Sequence, residues 1–469
     1  MPSNPPPRLP LASRLFAVGF TLAAVVLLSL VPLASAASSP QAYAARAKCK
    51  PTTRAASART VARHRRIDAG VRARIARFGV AIGAHRRALG GASGSAAQRH
   101  RRAIKRYQRR IALLRRKLAC QARYFVAVAS GAGVPSSRAL RVGLNGNSQG
   151  YGSGMGGVQD GVRATGAGWT REAFAWDVIE PQSGSWDFSR YDAVLLSAAQ
   201  RGLMVLPVLM TAPGWAAPAW NAIPSDPTAY GDYVAHVAAR YGPGGSFWSA
   251  HPDLAAFAPQ YFEIWNEPYY VQFSNNDINP GRYARLVKAA GQAGKAANPQ
   301  AKFLAAAETD VQPTGGSQWV SWTDAMYQAV PDLNNYFDGV AVHPYSGNQA
   351  PDAPVNGYVH DKFVRMQTIR DKFVSHGAAN KPFWITEIGW STCTGNNECV
   401  SESNQAAYTA KLFDMIKTTY SSYVQGIFLY HYTDFGNGNA SDREQWYGMI
   451  HRDGSHKPVY NAHHTAATS

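Results

Sequence analysis

Two apolar runs of this chain end in a glutamate: Trp265-Asn266-Glu267-Pro268 closes one, and Ile385-Thr386-Glu387-Ile388-Gly389-Trp390 closes the other. Two carboxyls that face each other can divide the work at one bond. Cleaving a glycosidic bond with retention needs one carboxyl to protonate the leaving oxygen and a second to attack the anomeric carbon, at a separation of about 5–5.5 Å. The two must titrate differently, the acid in a neutral and partly desolvated setting, the nucleophile beside donors or a cation. Trp265 and Pro268 bracket Glu267 with apolar groups, and Arg171 is the best candidate cation for Glu387. An arginine at such a position is also commonly a plain surface ion pair. A glutamate at a strand end is commonly just solvated, so the spacing of the elements has to decide.

Short apolar runs recur at Arg141–Asn145, Thr170–Trp176, Met204–Met210, Tyr261–Trp265, Phe303–Ala307, Gly339–His343, Phe383–Thr386 and Gly426–Tyr432. Amphipathic stretches separate most of them, among them Tyr191–Arg201, Tyr230–Tyr241, Gly281–Ala297, Tyr358–His376 and Gln405–Tyr420. Eight strand-helix alternations predict an α/β fold, the (β/α)8 or TIM barrel, whose active site forms at the C-terminal ends of the strands. Runs four and seven then face each other across the mouth, each carrying one glutamate. Gly143-Leu144-Asn145-Gly146-Asn147 after run one lacks the spacing of a dinucleotide fingerprint, which disfavours a Rossmann fold.

Further segments carry a family resemblance over nearly all of 137–460. Trp265-Asn266-Glu267-Pro268 with the run-seven glutamate resembles clan A of the glycoside hydrolases, closest in pattern to families 39 and 5. The stretch from Arg171 through Trp176-Asp177-Val178-Ile179-Glu180-Pro181 and Gly184 to Asp192 is similar to the second-strand segment of family 39, and His343-Pro344-Tyr345 also resembles the clan's pattern. So does Gly448-Met449-Ile450 followed by Asp453-Gly454-Ser455-His456-Lys457-Pro458. The resemblance implies Glu267 as acid/base and Glu387 as nucleophile. It implies Asn266 on the sugar 2-hydroxyl, Arg171 and Tyr345 on the nucleophile, and His343 lining the subsite. Many clan members carry a tryptophan sugar platform at run eight, where this chain has Tyr430 and Tyr432. Trp176, Trp215, Trp265 and Trp390 near strand ends read as core aromatics or as sugar-stacking faces, and Trp215 and Trp220 sit in a long loop that suits a rim. The expected activity is a retaining β-glycosidase acting on a polysaccharide or oligosaccharide, without metal or organic cofactor. An idle carbohydrate-binding barrel and a transglycosylase would share these residues.

The formal charge of +19 would suggest a nucleic-acid binder were it evenly spread. Residues 37–125 hold 24 Lys/Arg and the single acid Asp68, whereas 126–469 hold 22 Lys/Arg and 28 Asp/Glu. The basic character belongs to an N-terminal segment, 37–130, and 131–469 is the expected catalytic domain. In that segment Ile67, Val71, Ile75, Phe78, Ile82 and Leu89, then Ile104, Tyr107, Ile111, Leu114 and Leu118, recur at helical spacing on either side of Gly90-Gly91-Ala92-Ser93-Gly94-Ser95, which outlines a coiled-coil-like helical hairpin. It reads either as a solvated spacer or as an arm retained on an anionic cell-envelope polymer. Residues 1–36, with Arg8, Arg14, the apolar run Leu15–Leu33 and Ala34-Ser35-Ala36, read as a secretory signal peptide or, uncleaved, as a membrane anchor. A secreted or envelope-associated monomer is expected, with no nucleic-acid partner. In that oxidising setting the four cysteines pair as Cys49–Cys120 and Cys393–Cys399.

Overall fold

The computed structural model describes residues 71, 74, 77–78, 80–132, 140–354, 362–436 and 438–469, with the side chains of 115–132 and 153 left aside. The signal or anchor segment 1–36 and the Cys49–Cys120 pair lie outside the described residues. No described helix is long and apolar enough to cross a membrane.

Eight parallel strands close into a barrel: β1 Arg141–Asn145, β2 Trp169–Ala175, β3 Met204–Met210, β4 Tyr261–Ile264, β5 Lys302–Ala306, β6 Gly339–Val342, β7 Phe383–Ile388 and β8 Val424–Leu429. Each pairs with its sequence neighbours, and β1 pairs with β8 to seal the ring. All eight expected runs are strands, with ends shifted by up to three residues. A two-stranded ribbon, Asp310–Val311 with Val320–Ser321, decorates the segment after β5.

Helices wrap this ring, and their ends follow the local chemistry. Asp226 and Asn279 accept from Thr228 N and Arg282 N at 2.8 and 2.9 Å, and a proline follows each, so Pro227–Tyr241 and Pro280–Ala297 start where an N-cap and a preset φ coincide. Tyr230, Tyr233, Val234, Val237 and Tyr241 bury one stripe of the first of these helices against the sheet. Three helix tyrosines then donate to carbonyls near strand ends: Tyr233 Oη to Phe174 O at 2.7 Å, Tyr230 Oη to Leu209 O at 2.6 Å and Tyr283 Oη to Ile264 O at 2.8 Å. The rim of the mouth is thereby tied to the outer layer.

Inside the barrel, strand alternation sorts side chains into layers. A lower layer is aromatic. Trp384 lies 4.4 Å from Tyr261 and 5.9 Å from Trp169 between ring centroids, and the Arg141 guanidinium sits 5.0 Å over Trp384. Gly143 and Gly426 face Phe428 and Trp384 so closely that a Cβ at either would collide with a ring. Two residues further along β1, β2, β4 and β7 stand Asn145, Arg171, Glu263 and Thr386, all buried. A polar layer therefore lies on an aromatic one, directly beneath the mouth.

Before the barrel, residues 80–89 and Gly94–Ala132 form a helical pair. Phe78 and His85 meet Tyr107 across it at 5.4 and 5.9 Å, and Val71 and Ile82 are buried. The second helix runs to Ala132, with no Gly or Pro to interrupt it between Gly94 and Gly131.

Candidate active site

Arg171 organises the polar layer. All five of its N–H donors have acceptors: Nε and Nη2 reach Glu263 at 2.7 and 3.0 Å, Nη1 reaches Asn145 Oδ1 at 2.8 Å and also Glu387 Oε1, and Nη2 reaches Asn266 Oδ1 at 2.8 Å. Burial opposes the charge on Arg171, but Glu263 and Glu387 outweigh it, so its pKa is raised. In return, burial would push the Glu263 carboxyl up, yet Arg171 and His343 hold it down at about 2. With Oδ1 of Asn266 committed to Arg171, the amide NH2 is the end that can donate to a bound hydroxyl.

Glu387 reaches the mouth through an irregularity in β7. Ile385 pairs with Ile427 and Ile388 with Leu429, so three steps on β7 oppose two on β8 at Thr386 and Glu387. A bulge of this kind re-aims side chains. Thr386 then faces the interior while Glu387 sits between Arg171 and Tyr345, whose Oη donates to Oε2 at 3.1 Å. Glu267 is presented differently, by a turn in which Trp265 and Glu267 themselves adopt φ of 62° and 41°. Positive φ at two non-glycine residues is uncommon and is held in place by its surroundings.

His343, at the end of β6, joins the two carboxylates. Its Nδ1 lies 2.8 Å from Glu267 Oε1 and 3.8 Å from Glu387 Oε2, and its Nε2 lies 3.0 Å from Thr386 Oγ1. Thr386 donates its hydroxyl proton to Glu263 at 3.1 Å, so Nε2 must carry a proton to donate to Thr386. Burial opposes protonation of the ring, but Glu387, Glu263 and Glu267 together raise its pKa to about 9. One donor atom each from Glu267, His343 and Glu387 lie within 4.8 Å of one another. Three such atoms are enough to hold a cation, and the direct Glu267–His343 hydrogen bond holds the cluster together without one.

Among the sequence-predicted residues, the structure brings Glu267, Glu387, Asn266, Arg171, His343, Tyr345 and Tyr430 to one place, Tyr430 edge-on to Tyr345 with centroids 6.5 Å apart. Tyr432 instead packs over Gly161 of the helix Met155–Ala164. Two tryptophans are corrected. Trp176 and Trp390 are 0% and 1% exposed, Trp176 stacked on Tyr233 and bonded to Glu180, Trp390 against Tyr408 and Gln349 O, so neither has a face left for a sugar. Trp215 and Trp220, by contrast, are 38% and 53% exposed on the loop after β3. The apolar bracket expected around Glu267 is also revised: Trp265 is buried with its Nε1 on Phe273 O at 2.7 Å, and the group facing the carboxylate is His343.

Sequence reasoning missed Asn145, Glu263, Thr386 as a side chain, and Tyr447, whose ring stands 5.4 Å from Tyr430 and 5.9 Å from Tyr345. The available signal for Glu263 was a carboxylate inside Tyr-Phe-Glu-Ile-Trp, since a buried strand does not tolerate a charge without a partner. The Cys393–Cys399 disulfide closes the loop after β7, as expected.

A family model described as beta-galactosidase, glycoside hydrolase family 42, matches residues 161–225. No curated protein matches the chain. Among solved structures it is similar to a family 39 glycoside hydrolase from Bacteroides cellulosilyticus WH2, with 21% identity and a TM-score of 0.53 over 71% of this chain and 64% of that one. A family 39 enzyme from Xanthomonas axonopodis pv. citri gives 17% identity, 71% and 67% coverage and a TM-score of 0.50. A family 5 subfamily 18 protein from Streptomyces cattleya, solved with GlcNAc, gives 17%, 71%, 80% and 0.50. The chain thus spans just under two thirds of the first of these, and the likeness is to the (β/α)8 fold that glycoside hydrolases of families 39 and 5 share.

Proposed function

We propose that the chain is a secreted, monomeric retaining β-glycosidase that cleaves O-glycosidic bonds of a polysaccharide or oligosaccharide by double displacement. The observation that carries this reading is the approach of Glu267 and Glu387 to within 4.8 Å, each with a different set of partners. That spacing is nearer the about 5–5.5 Å of a retaining pair than the about 6.5–9.5 Å of an inverting one, which supports a covalent intermediate. Glu387, placed by hydrogen bonds from Arg171 and Tyr345, attacks the anomeric carbon; the glycosidic C–O bond breaks and the leaving oxygen takes a proton from Glu267. Water then adds to the anomeric carbon, gives its proton to Glu267 and releases Glu387.

His343 has a defined part in that proton's path. Because Nε2–H is committed to Thr386, the His343–Glu267 pair shares one further proton, resting on Nδ1 or on the carboxyl. The Glu387 charge is among the causes that keep the ring protonated. As Glu387 bonds to the sugar that charge is consumed, and the proton is favoured to pass to Glu267 and on to the leaving oxygen. Asn266 would donate its NH2 to a sugar hydroxyl, Tyr430 and Tyr447 would flank the ring, and Trp215 would offer a stacking face at the rim. An N-terminal signal would export the enzyme, and the basic arm would hold it on an anionic envelope polymer.

Glu387→Gln should lower kcat by about a thousandfold or more on every substrate. Glu267→Ala should spare substrates with activated leaving groups and lose the rest. The anomer released first, followed by proton NMR, should keep the configuration of the substrate. First release of the inverted anomer would sink the mechanism.

A further inference from the structure

The cations of the N-terminal arm have a single acid, Asp68, on their own segment. No acidic residue occurs between Asp68 and Asp160. Of the apolar residues of the helix Gly94–Ala132 whose side chains are described, Ile104, Tyr107, Ile111 and Leu114 are half-buried, Tyr107 meeting Phe78 and His85 across the helical pair, and Leu113 is exposed. Most of the described side chains that face solvent between 99 and 110 are cationic. Arg101, Lys105 and Arg109, all exposed, step by four residues along one stripe, which at the rise of an α-helix sets the charges about 6 Å apart. Arg99, Arg102 and Arg106, also exposed, make a second stripe beside it.

We infer that this double stripe binds a carboxylate-bearing polysaccharide and so holds the barrel on an acidic glycan matrix. The inference rests on the glycosidase reading for its choice of polymer, and on the arm's own surface for the rest. A lipid surface requires a helix with an apolar face to sink into the headgroup region. Among the described side chains, the apolar residues at helical spacing, Ile104, Tyr107, Ile111 and Leu114, lie half-buried in the pair. Single-stranded nucleic acid requires exposed aromatics on which bases stack, and the arm's aromatics with described side chains, Phe78 and Tyr107, are turned toward each other. A linear chain of carboxylates asks only for cations repeated at about the length of one sugar, which the stripe supplies. Geometry leaves the catalytic mouth clear: the arm's helix ends at Ala132, shortly before β1 starts at Arg141, and it touches the turn Pro252–Phe257 that precedes β4. Both contacts are at the N-terminal ends of parallel strands, the barrel face opposite Glu267 and Glu387. The mildly acidic barrel has no comparable pull on such a polymer, so retention and cleavage are divided between the two ends of the molecule.

The test is co-sedimentation of the full chain, in a Glu387→Gln background so that nothing is cut, with calcium-gelled polygalacturonate beads across a salt series. Binding should fall steeply between about 50 mM and 500 mM salt. R101E/K105E/R109E should weaken it by about tenfold or more, and R101K/R109K should bind like the parent. Since three glutamates could unwind the helix, R101Q/K105Q/R109Q is measured beside it and should also weaken binding. Binding indifferent to salt overturns the proposal, as does parent-level binding by the glutamine variant. So does tighter capture by phosphatidylglycerol vesicles or duplex DNA than by polygalacturonate at equal charge concentration. Because no turnover is involved, failure here leaves the glycosidase reading standing, and failure of the Glu387 test leaves this result readable.

Discussion

The arm and the barrel use charge in opposite ways. In the barrel, Arg171 is buried with every donor matched, Arg240 pairs with Asp192 at 2.6 Å, and the fully buried Lys457 ammonium pairs with Asp434 at 2.8 Å. In the arm, the exposed cations meet solvent. Removing one partner of a buried pair leaves an uncompensated charge at a cost of about 3–5 kcal/mol, whereas surface charge changes usually stay within about 0.5 kcal/mol. The same residue type is therefore part of the folded structure in one region and separable from it in the other.

That contrast is broken most directly at Glu263. Glu263→Ala takes away two bonds of Arg171 and the acceptor of Thr386, and should cost about 3–5 kcal/mol in urea unfolding. Activity should fall with it, because Arg171 and Thr386 then lose the geometry that places Glu387 and His343. Glu263→Gln, which keeps the shape, should lie between the wild type and the alanine variant. A near-neutral Glu263→Ala would mean that the network is no more coupled than the arm.

A smaller effect is expected from pH. The folded pKa of His343, about 9, lies above the usual 6.5, so the folded state holds the proton where the unfolded chain releases it. This contribution to stability is complete below pH 6.5 and is lost as pH rises through about 9. Subtracting the unfolding free energies of His343→Gln from those of the wild type over that window should isolate it. A difference that is flat with pH would show that His343 does not carry the proton assigned to it.

The smallest effect is predicted in the arm. R101Q/K105Q/R109Q should leave the barrel's unfolding midpoint and kcat/KM on a small soluble glycoside unchanged, within about 0.5 kcal/mol. A loss of activity on the small substrate would join the two regions and sharpen where they touch.

Much of the barrel was legible because each strand is a short apolar run and each helix a longer amphipathic one, and both periodicities are local. Glu267 and Glu387 were legible for the same reason: they stand just beyond such runs. Glu263 was not, since a single acid inside an apolar run has no local mark of the arginine that meets it from β2. Nor could spacing tell which tryptophan keeps a free face, because Trp176 is covered by Tyr233 and Trp215 from other elements.

The amino-acid sequence by itself determined the eight strand-helix units, the positions of the two glutamates at strand ends and the separation of a basic arm from an acidic barrel. Tertiary structure alone decided that three steps on β7 oppose two on β8, which turns Glu387 toward the mouth, and that His343 rather than Trp265 faces Glu267. The reason is physical: alternation along a strand is set residue by residue, but which side chains meet across the barrel depends on register and closure, and those are settled by contacts far apart in the chain.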